Sequence, residues 1–466
     1  MKKVYSIKAL PKTGMAKKRQ DNVLKVFNRF TIDLSPPMVL AVGFLSLIII
    51  GTLLLKLPMV THHSISWMDA WFTASSAVTI TGLTALDVGS TFNVAGQVII
   101  ALLVQLGGLG FMTFAVVAAL SLRSRMGLGH QLLAQEALGQ TSLARVGQVA
   151  KAVVLYSLFF ELIGFVLLTL AWQGQFGWSR SAYLAFFHCI SAFNNAGFAL
   201  FPDSLMSFAH HASINFIISG LFIIGGIGFV VLMDVRQQRK WTLLSPNTRI
   251  ILIATLVINL VAFALVWLLE AHNPATLASL STSEQMQAAW FQATVPRSSG
   301  FNTLPIHELH DATTVLMLLL MFIGGGSLST AGGIKLGTFV VLLFSTYTFL
   351  RRQEEVRILK RSISQQTVMK ALALTVITMM IIFMGIFLLA ALEHEKRFID
   401  IAFEVVSAVC TVGLSRGITP ELGDVSKFLL SCMMFTGRLG PLTLAYFIAI
   451  PTKTHLRYPV THIPVG

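Results

Sequence analysis

Four short stretches of this sequence carry the residue types that a main-chain ion site requires. They read Thr79-Ile80-Thr81-Gly82, Asn194-Asn195-Ala196-Gly197, Arg297-Ser298-Ser299-Gly300 and Cys410-Thr411-Val412-Gly413. The four glycines are 115, 103 and 113 residues apart. Ten residues before each lies an aromatic, Phe72, Phe187, Trp290 or Phe403, and six before it a small hydroxyl, Ser76, Ser191, Thr294 or Ser407. The residue after it is Leu83, Phe198, Phe301 or Leu414. A cation leaving water needs replacement oxygens, and rings of backbone carbonyls supply them. Neighbouring carbonyls point the same way only where the backbone visits positive φ, which glycine does without steric cost. One glycine from each of four turns furnishes one ring. None of the stretches holds a carboxylate, so the chemistry expected is carbonyl selection of a monovalent cation, not a calcium-type acidic ring.

A second glycine cluster follows each turn by 24 to 28 residues, starting at Gly107, Gly225, Gly324 and Gly437. Three of these read Gly-x-x-Gly: Gly107 to Gly110, Gly225 to Gly228 and Gly437 to Gly440. The third is different. Gly324-Gly325-Gly326-Ser327-Leu328-Ser329-Thr330-Ala331-Gly332-Gly333 has five glycines and three hydroxyls in ten residues. Between Asp311 and Arg351 the sole charge is Lys335. A continuous helix over that interval would be about 58 Å long at 1.5 Å per residue, about twice a hydrocarbon core. Glycine at this density breaks a helix, and broken backbone at membrane depth belongs beside a watery cavity. A mobile loop beneath the four turns is therefore expected at Gly324–Lys335, a flexible kink being the alternative. Arg438, inside the fourth cluster, is an intramembrane charge and so a functional candidate. It stands either as a cation barrier or as a partner for a loop carbonyl or for Glu161 or Glu404. Arg297 and Arg416 flank the turns, as anchors or as charges that repel ions.

These residues must be positioned by membrane-embedded helices. Of the 466 residues 55 % are hydrophobic and 12 % charged, half the charge of an ordinary soluble domain, and the mean hydropathy is +0.75. Soluble, disordered and disulfide-stapled classes are excluded, since Cys189, Cys410 and Cys432 all lie in apolar runs. The net charge of +14 is not a nucleic-acid footprint. Twenty-five of the 34 Lys and Arg fall in residues 1–37, 121–151, 235–249, 350–370 and 451–466, alternate gaps between apolar stretches. The positive-inside rule makes those gaps cytoplasmic, with both termini inside and an even number of spans. The first apolar run begins near Met38, too late and too long for a secretory signal.

Between basic gaps one plan recurs: apolar span, short stretch, glycine turn, second span. The short stretches, such as Asp69–Val78 and Leu184–Phe193, are too short to cross, so each is a re-entrant pore helix entering from outside. The expectation is an all-α integral membrane protein of eight transmembrane helices in four span–pore-helix–span repeats around a pseudo-fourfold pore. Its parts are a cytoplasmic tail 1–37, repeats 38–120, 148–234, 248–350 (broken second span) and 367–450, and a tail 451–466. Four pore-helix C-termini aimed at one cavity, each about half a negative charge, favour a cation there.

Other candidates are weaker. His62-His63 and His210-His211 fall in outer loops with no helical i, i+4 ligand pair, and no nucleophile–base constellation or dinucleotide fingerprint is present. Asp69, Asp87, Asp203, Asp311, Asp400 and Asp424 all sit on the outer side. A membrane enzyme or metabolite carrier would use the glycine clusters for helix packing, but it leaves the four matched turns unexplained.

From about Met38 to Ile450 the chain resembles the Trk/Ktr/HKT superfamily of potassium transporters. Thr79–Thr84, Asn194–Phe198, Arg297–Thr303, Thr411–Arg416 and the third-repeat segment carry the resemblance. Cys410-Thr-Val-Gly-Leu414 approaches the Thr-Val-Gly-Tyr-Gly filter of potassium channels but lacks its second glycine. The bacterial Ktr pore-subunit branch is the most similar, because Trk-type relatives usually have two additional N-terminal spans. The resemblance implies channel-like potassium uptake across the bacterial inner membrane, with no enzymatic activity and no cofactor. Gly82 stands where sodium-selective members carry serine. Sodium remains as a coupling or activating ion or, in the alternative, as the selected ion. It also implies that Gly324, Gly325, Gly326, Ser327, Ser329, Thr330, Gly332, Gly333 and Lys335 form an intramembrane gate with Arg438. The implied partners are a second copy of the chain, a cytosolic ring of RCK-type nucleotide-binding subunits and membrane lipids, with no nucleic acid. Arg351–Arg361 and the N-terminal tail are the expected docking surfaces.

Overall fold

The computed structural model describes residues 36–122 and 146–440. Expectations for the two tails, for 123–145 and for the end of the fourth repeat beyond 440 lie outside the described residues. The fold is predominantly helical, in four successive quarters. The first holds α1 (Pro36–Leu55), α2 (Trp67–Val78) and α3 (Val94–Leu122). The second holds α4 (Val146–Phe176), α5 (Trp178–Phe193), α6 (Ala212–Ile227) and α7 (Phe229–Gln238). The third holds α8 (Pro246–Glu270), α9 (Thr282–Thr294), α10 (Asp311–Phe322) and α11 (Leu336–Leu350), and the fourth α12 (Gln365–Leu392), α13 (Phe398–Val409) and α14 (Asp424–Leu439).

Local chemistry sets the helix starts. Ser66 accepts from the Asp69 N–H ahead of α2, Ser245 from Thr248 N–H ahead of α8 with Pro246 in the first turn, and Ser364 from Thr367 N–H ahead of α12. Such caps satisfy amides that have no partner inside the helix. Ser281 and Glu284 close a capping box on α9.

Among the described residues three helices are long and apolar enough to cross a membrane, Lys151–Phe176, Pro246–Glu270 and Gln365–Leu392, with mean hydropathies of 2.3, 2.7 and 2.7, and the bent pair Ala212–Ile227 and Phe229–Gln238 makes a fourth if it is one span. The outward faces of the three are large and apolar. Leu158, Phe159 and Leu162 are exposed on α4, Leu256, Val257 and Leu260 on α8, and Met380, Phe383 and Phe387 on α12. Apolar surface on that scale is covered by lipid. The short helices are the reverse: every α13 residue from Asp400 to Val409 is buried, as is every α2 residue from Phe72 to Val78.

The packing closes a ring. Each short helix touches the second long element of the preceding quarter: α5 meets α3, α9 meets α6, α13 meets α10, and α2 meets α14. The glycine clusters make this approach fit. A Cβ on Gly107, Gly225 or Gly437 would lie 2.0 Å from the carbonyl oxygen of Val78, Phe193 or Val409 respectively. Each of those residues is the fourth before a turn glycine. The clusters therefore do serve close packing, but against the ends of the short helices. Gly324 breaks this rule and abuts the Gly332 carbonyl oxygen instead, at 1.8 Å from its would-be Cβ.

Two features differ from the sequence expectation. The second quarter is also broken, with α6 and α7 meeting at 91° across Gly228 (φ 107). The cause is a chain segment a hundred residues away: a Cβ on Gly228 would stand 2.5 Å from Ser327 O. The basic segment after α11 also folds into a two-stranded hairpin, with Arg357 opposite Ser362 and Ile358 opposite Arg361. Leu359 and Lys360 are both left-handed at its turn, the geometry of a tight hairpin. The predicted break in the third quarter is present between α10 and α11, where Ile323 bridges Ile334.

Gly107→Ala is expected to lower the thermal unfolding midpoint of the detergent-solubilised protein, by about 1–3 kcal/mol as for an overpacked core. Gly220→Ala, where nothing lies within 4 Å, is expected to leave the midpoint unchanged or raise it slightly.

Candidate ion pathway

The four turns meet. A Cβ built on Gly82 would lie 2.2 Å from Ala196 O, on Gly197 2.8 Å from Ser299 O, on Gly300 3.0 Å from Val412 O, and on Gly413 2.0 Å from Thr81 O. Each glycine thus faces the carbonyl that precedes the next turn's glycine, and the cycle closes in chain order. All four glycines are left-handed, at φ 94, 72, 75 and 91. So are the residues two before them: Ile80 (51), Asn195 (59), Ser298 (73) and Thr411 (47). A non-glycine residue there costs of order 1–3 kcal/mol and persists only where its surroundings enforce it.

That alternation separates donors from acceptors. The N–H groups turn back to the short helices: Thr81 to Ser76 O at 2.9 Å, Ala196 to Ser191 O at 2.8 Å, Val412 to Ser407 O at 2.8 Å and Ser299 to Val295 O at 3.1 Å. The hydroxyl six residues before the glycine now has a reason in two turns. Ser76 Oγ and Ser407 Oγ each accept from the glycine N–H at 3.0 Å. Thr294 instead bonds back to Trp290 O. Among the described residues, no hydrogen bond ends on the carbonyls of Thr81, Gly82, Ala196, Gly197, Ser299, Gly300, Val412 or Gly413. The aromatic ten before the glycine is core: Phe72, Phe187 and Phe403 are buried, and half-buried Trp290 donates to Ser219 Oγ.

Three of the turns are fastened from behind, each differently. Arg297 directs its guanidinium away from the ring, to Asn259 Oδ1 at 2.8 Å and Gly324 O at 3.3 Å. Asn194 donates to Gln105 Oε1 (2.7 Å) and Glu161 Oε1 (3.2 Å). These side chains are anchors, so of the predicted ion-binding stretches only the backbone of Arg297 and Asn194 lies in the turn. Arg416 bonds Asp400 at 2.6 Å, Thr314 Oγ1 at 2.9 Å, and the carbonyls of Ile306 and His307 at 3.1 and 3.2 Å. It too is an anchor. Glu404, fully buried behind the fourth turn, accepts from Ser415 and Thr419.

The glycine-rich segment lies directly against three turns. Thr330 Oγ1 donates to Asn195 Oδ1 at 3.0 Å, Gly332 N–H to Ser298 Oγ at 3.0 Å, and a Cβ on Gly332 would stand 2.0 Å from Thr411 Oγ1 and 2.2 Å from Cys410 O. It is laced to the elbow between α6 and α7: Gly326 N–H to Gly226 O, Thr330 N–H to Gly225 O, and Phe229 N–H to Leu328 O, at 2.8, 3.3 and 3.1 Å. Ser329 Oγ and Lys335 Nζ close the segment on itself through Gly326 O and Ala331 O. Arg438, buried, bonds Thr330 O at 2.8 Å and Gly107 O at 3.5 Å. Of the alternatives for Arg438, the structure takes the loop carbonyl. Glu161 and Glu404 are engaged elsewhere.

The carboxylates Asp69, Asp87 and Asp203 cap or pair. Asp69 holds Lys427 at 2.8 Å, joining the first quarter to the last. Asp87 and Asp203 cap local turns. Among the described residues no cluster of His, Cys, Asp or Glu forms a metal site.

Residues 35–457 match the TrkH family, described as cation transport protein. The chain is 46 % identical to the Ktr system potassium uptake protein B of Bacillus subtilis over 448 residues, covering 96 % of this chain and 99 % of that protein. It is 43 % identical to the protein of that name from Vibrio alginolyticus, covering 92 % and 95 %, and 31 % identical to the potassium/sodium uptake protein NtpJ of Enterococcus hirae, covering 93 % and 98 %. Among solved structures it is similar to the potassium transporter TrkH from Vibrio parahaemolyticus, with a TM-score of 0.69 and 22 % identity over 87 % of this chain and 84 % of that one. That likeness speaks for the fold alone.

Arg416→Ala leaves Asp400 with Arg397 alone and takes the donor from the carbonyls of Ile306 and His307, which should destabilise the folded protein by about 1.5–3 kcal/mol, read as a fall in unfolding midpoint. Arg416→Lys should recover only part of this, because an ammonium cannot match the planar fork. Arg397→Ala removes the exposed partner of Asp400 and should cost under about 1 kcal/mol.

Proposed function

The chain belongs to the TrkH family of cation transport proteins, and from that premise we propose that it carries potassium ions inward through the ring of four glycine turns. As a member of that family it is a transporter and not an enzyme. The carrying observation is the closed cycle of left-handed glycines at 82, 197, 300 and 413 with their hydrogen bonds turned outward. Carbonyls left without partners are the ligands that a dehydrating alkali ion needs. No side-chain charge enters the ring, so the selection is by carbonyl field and suits a monovalent ion. Four short helices end at the ring, and their C-terminal dipoles add to the attraction.

In this reading each quarter contributes two membrane-crossing segments and one re-entrant helix, over 38–120, 148–234, 248–350 and 367–450. The tails 1–37 and 451–466 are cytoplasmic and the membrane is the bacterial inner membrane. Relatives named as Ktr uptake proteins support potassium as the ion. The relative named for potassium and sodium keeps sodium as a coupling ion in play, while Gly82 in place of serine argues against sodium selection. The word "system" in the relatives' names supports a partner subunit, for which a cytosolic nucleotide-binding RCK-type ring beneath a homodimer is proposed.

The gate is proposed to be the segment 324–335, held by the hydrogen bonds described above. With Arg438 across the path from Thr330 O to Gly107 O, a cation below the ring meets a buried positive charge, which is costly in a low-dielectric setting. Opening requires that guanidinium to release its carbonyls.

Two expected outcomes test this. In liposomes the protein should take up potassium or thallium in preference to sodium and restore growth of a potassium-uptake-deficient bacterium at low potassium. Serine at Gly82, Gly197, Gly300 or Gly413 should lower that preference about tenfold, equivalent to about 1.4 kcal/mol, and a preference that survives all four changes rules the turns out as the filter. Arg438→Ala, or deletion of 326–331, should raise flux, and unchanged flux at normal expression refutes the gate.

A further inference from the structure

The side chains two residues before the turn glycines hold a clue to how ring and loop communicate. Three of these four, Asn195, Ser298 and Thr411, touch the glycine-rich segment. Ser298 does more than touch. Its hydroxyl accepts from Gly332 N–H at 3.0 Å and donates to Thr411 O at 2.7 Å. It is 1 % exposed. Thr411 O belongs to the fourth turn, two residues before Gly413.

We propose that Ser298 is a positioning residue that sets permeant ion and docked gate against each other, through the chain Gly332 N–H to Ser298 O–H to the Thr411 carbonyl. This rests on the filter-and-gate reading above. A serine hydroxyl has one proton. With Gly332 N–H filling its lone-pair side, that proton is held toward Thr411 O, and successive hydrogen bonds polarise and strengthen one another. A docked loop thereby draws on the electron density of the Thr411 carbonyl, which the filter reading of Cys410–Gly413 counts among the oxygens offered to the ion beside the unbonded carbonyls of Val412 and Gly413. Coupling between two binding events is reciprocal. An ion that claims Thr411 O weakens the Ser298 bond and, through it, the hold on Gly332. Potassium at the ring is therefore an opening ligand for its own gate. Gly332 is suited to this place because a side chain there would strike Thr411 Oγ1 and Cys410 O.

The test uses the full-length protein in liposomes, with thallium or rubidium uptake measured against external potassium. Ser298→Ala should raise flux and lower the apparent half-saturation for potassium two- to tenfold, the range set by one net hydrogen bond. Ser298→Gly suits the left-handed backbone and should do the same, which covers a folding defect in the alanine variant. Ser298→Asn should restore wild-type half-saturation, since Asn195 occupies the corresponding place at φ 59 with both an acceptor and a donor. Arg438→Ala is the control for the gate itself: flux should rise. If Arg438→Ala raises flux while both hydroxyl-less variants keep wild-type half-saturation, Ser298 is only scaffold and the proposal falls. If Arg438→Ala leaves flux unchanged while half-saturation still shifts, the gate reading fails and the competition for Thr411 O stands.

Discussion

Main-chain donors and acceptors normally satisfy one another, and this fold is organised around preventing that at four places. A carbonyl left bare in a buried setting costs about 1–3 kcal/mol, and two left-handed residues in each turn add strain. Nothing local offsets this. Each turn survives because its N–H groups are bonded to the short helix behind it, through Ser76 O, Ser191 O, Val295 O and Ser407 O, and because those helices are sealed in the core. The unsatisfied oxygens are then the part of the molecule that has most to gain from a bound cation. Packing, capping and glycine placement elsewhere serve to keep the short-helix ends within reach of the ring.

The buried polar groups fit this view. Asn194 on Gln105 and Glu161 stands behind the second turn, Arg297 on Asn259 and Gly324 O behind the third, and Arg416 on Asp400 with Glu404 on Thr419 behind the fourth, with partners that do not repeat from one turn to the next. Burying charge is expensive unless it is paired and fully hydrogen-bonded. Such an arrangement resists small displacements, which a carbonyl ring needs. These three quarters are anchored through different partners, so sequence repetition is confined to positions where the backbone itself dictates the residue.

This explains what could be read from the chain alone. The turn glycines were legible because positive φ leaves few alternatives, and the third-quarter break because twelve residues so rich in glycine cannot remain helical at depth. The short helices were legible from length. The 91° elbow at Gly228 was not, since its cause is Ser327 O, supplied by a distant loop. Its signal was present in Gly225-Gly226-Ile-Gly228, a pattern that also suits ordinary close packing. The roles of Arg297 and Arg416 stayed open for the same reason: their partners Asn259, Gly324, Asp400 and Thr314 are far away in sequence. Packing by the glycine clusters was read only under the enzyme-or-carrier alternative, and the target of three of them, the carbonyl four residues before a turn glycine, emerges only in three dimensions.

The gate proposed at the glycine-rich segment would draw on the whole ring. It bonds the second quarter through the elbow at Gly225, Gly226 and Phe229, its own quarter through Ser298, and the fourth through Arg438, which reaches on to Gly107 in the first. Most of these are single backbone or charge-assisted bonds worth about 1–3 kcal/mol each. None holds the loop alone, and releasing it means losing several together, which favours two discrete arrangements over a continuum. The glycines lower the steric barrier to both: without Cβ atoms the loop fits against Ile227 O, Cys410 O and Gly226 O, and when freed it gains more chain entropy than any other residues would allow. A helix through the same space would be more stable and could not let go.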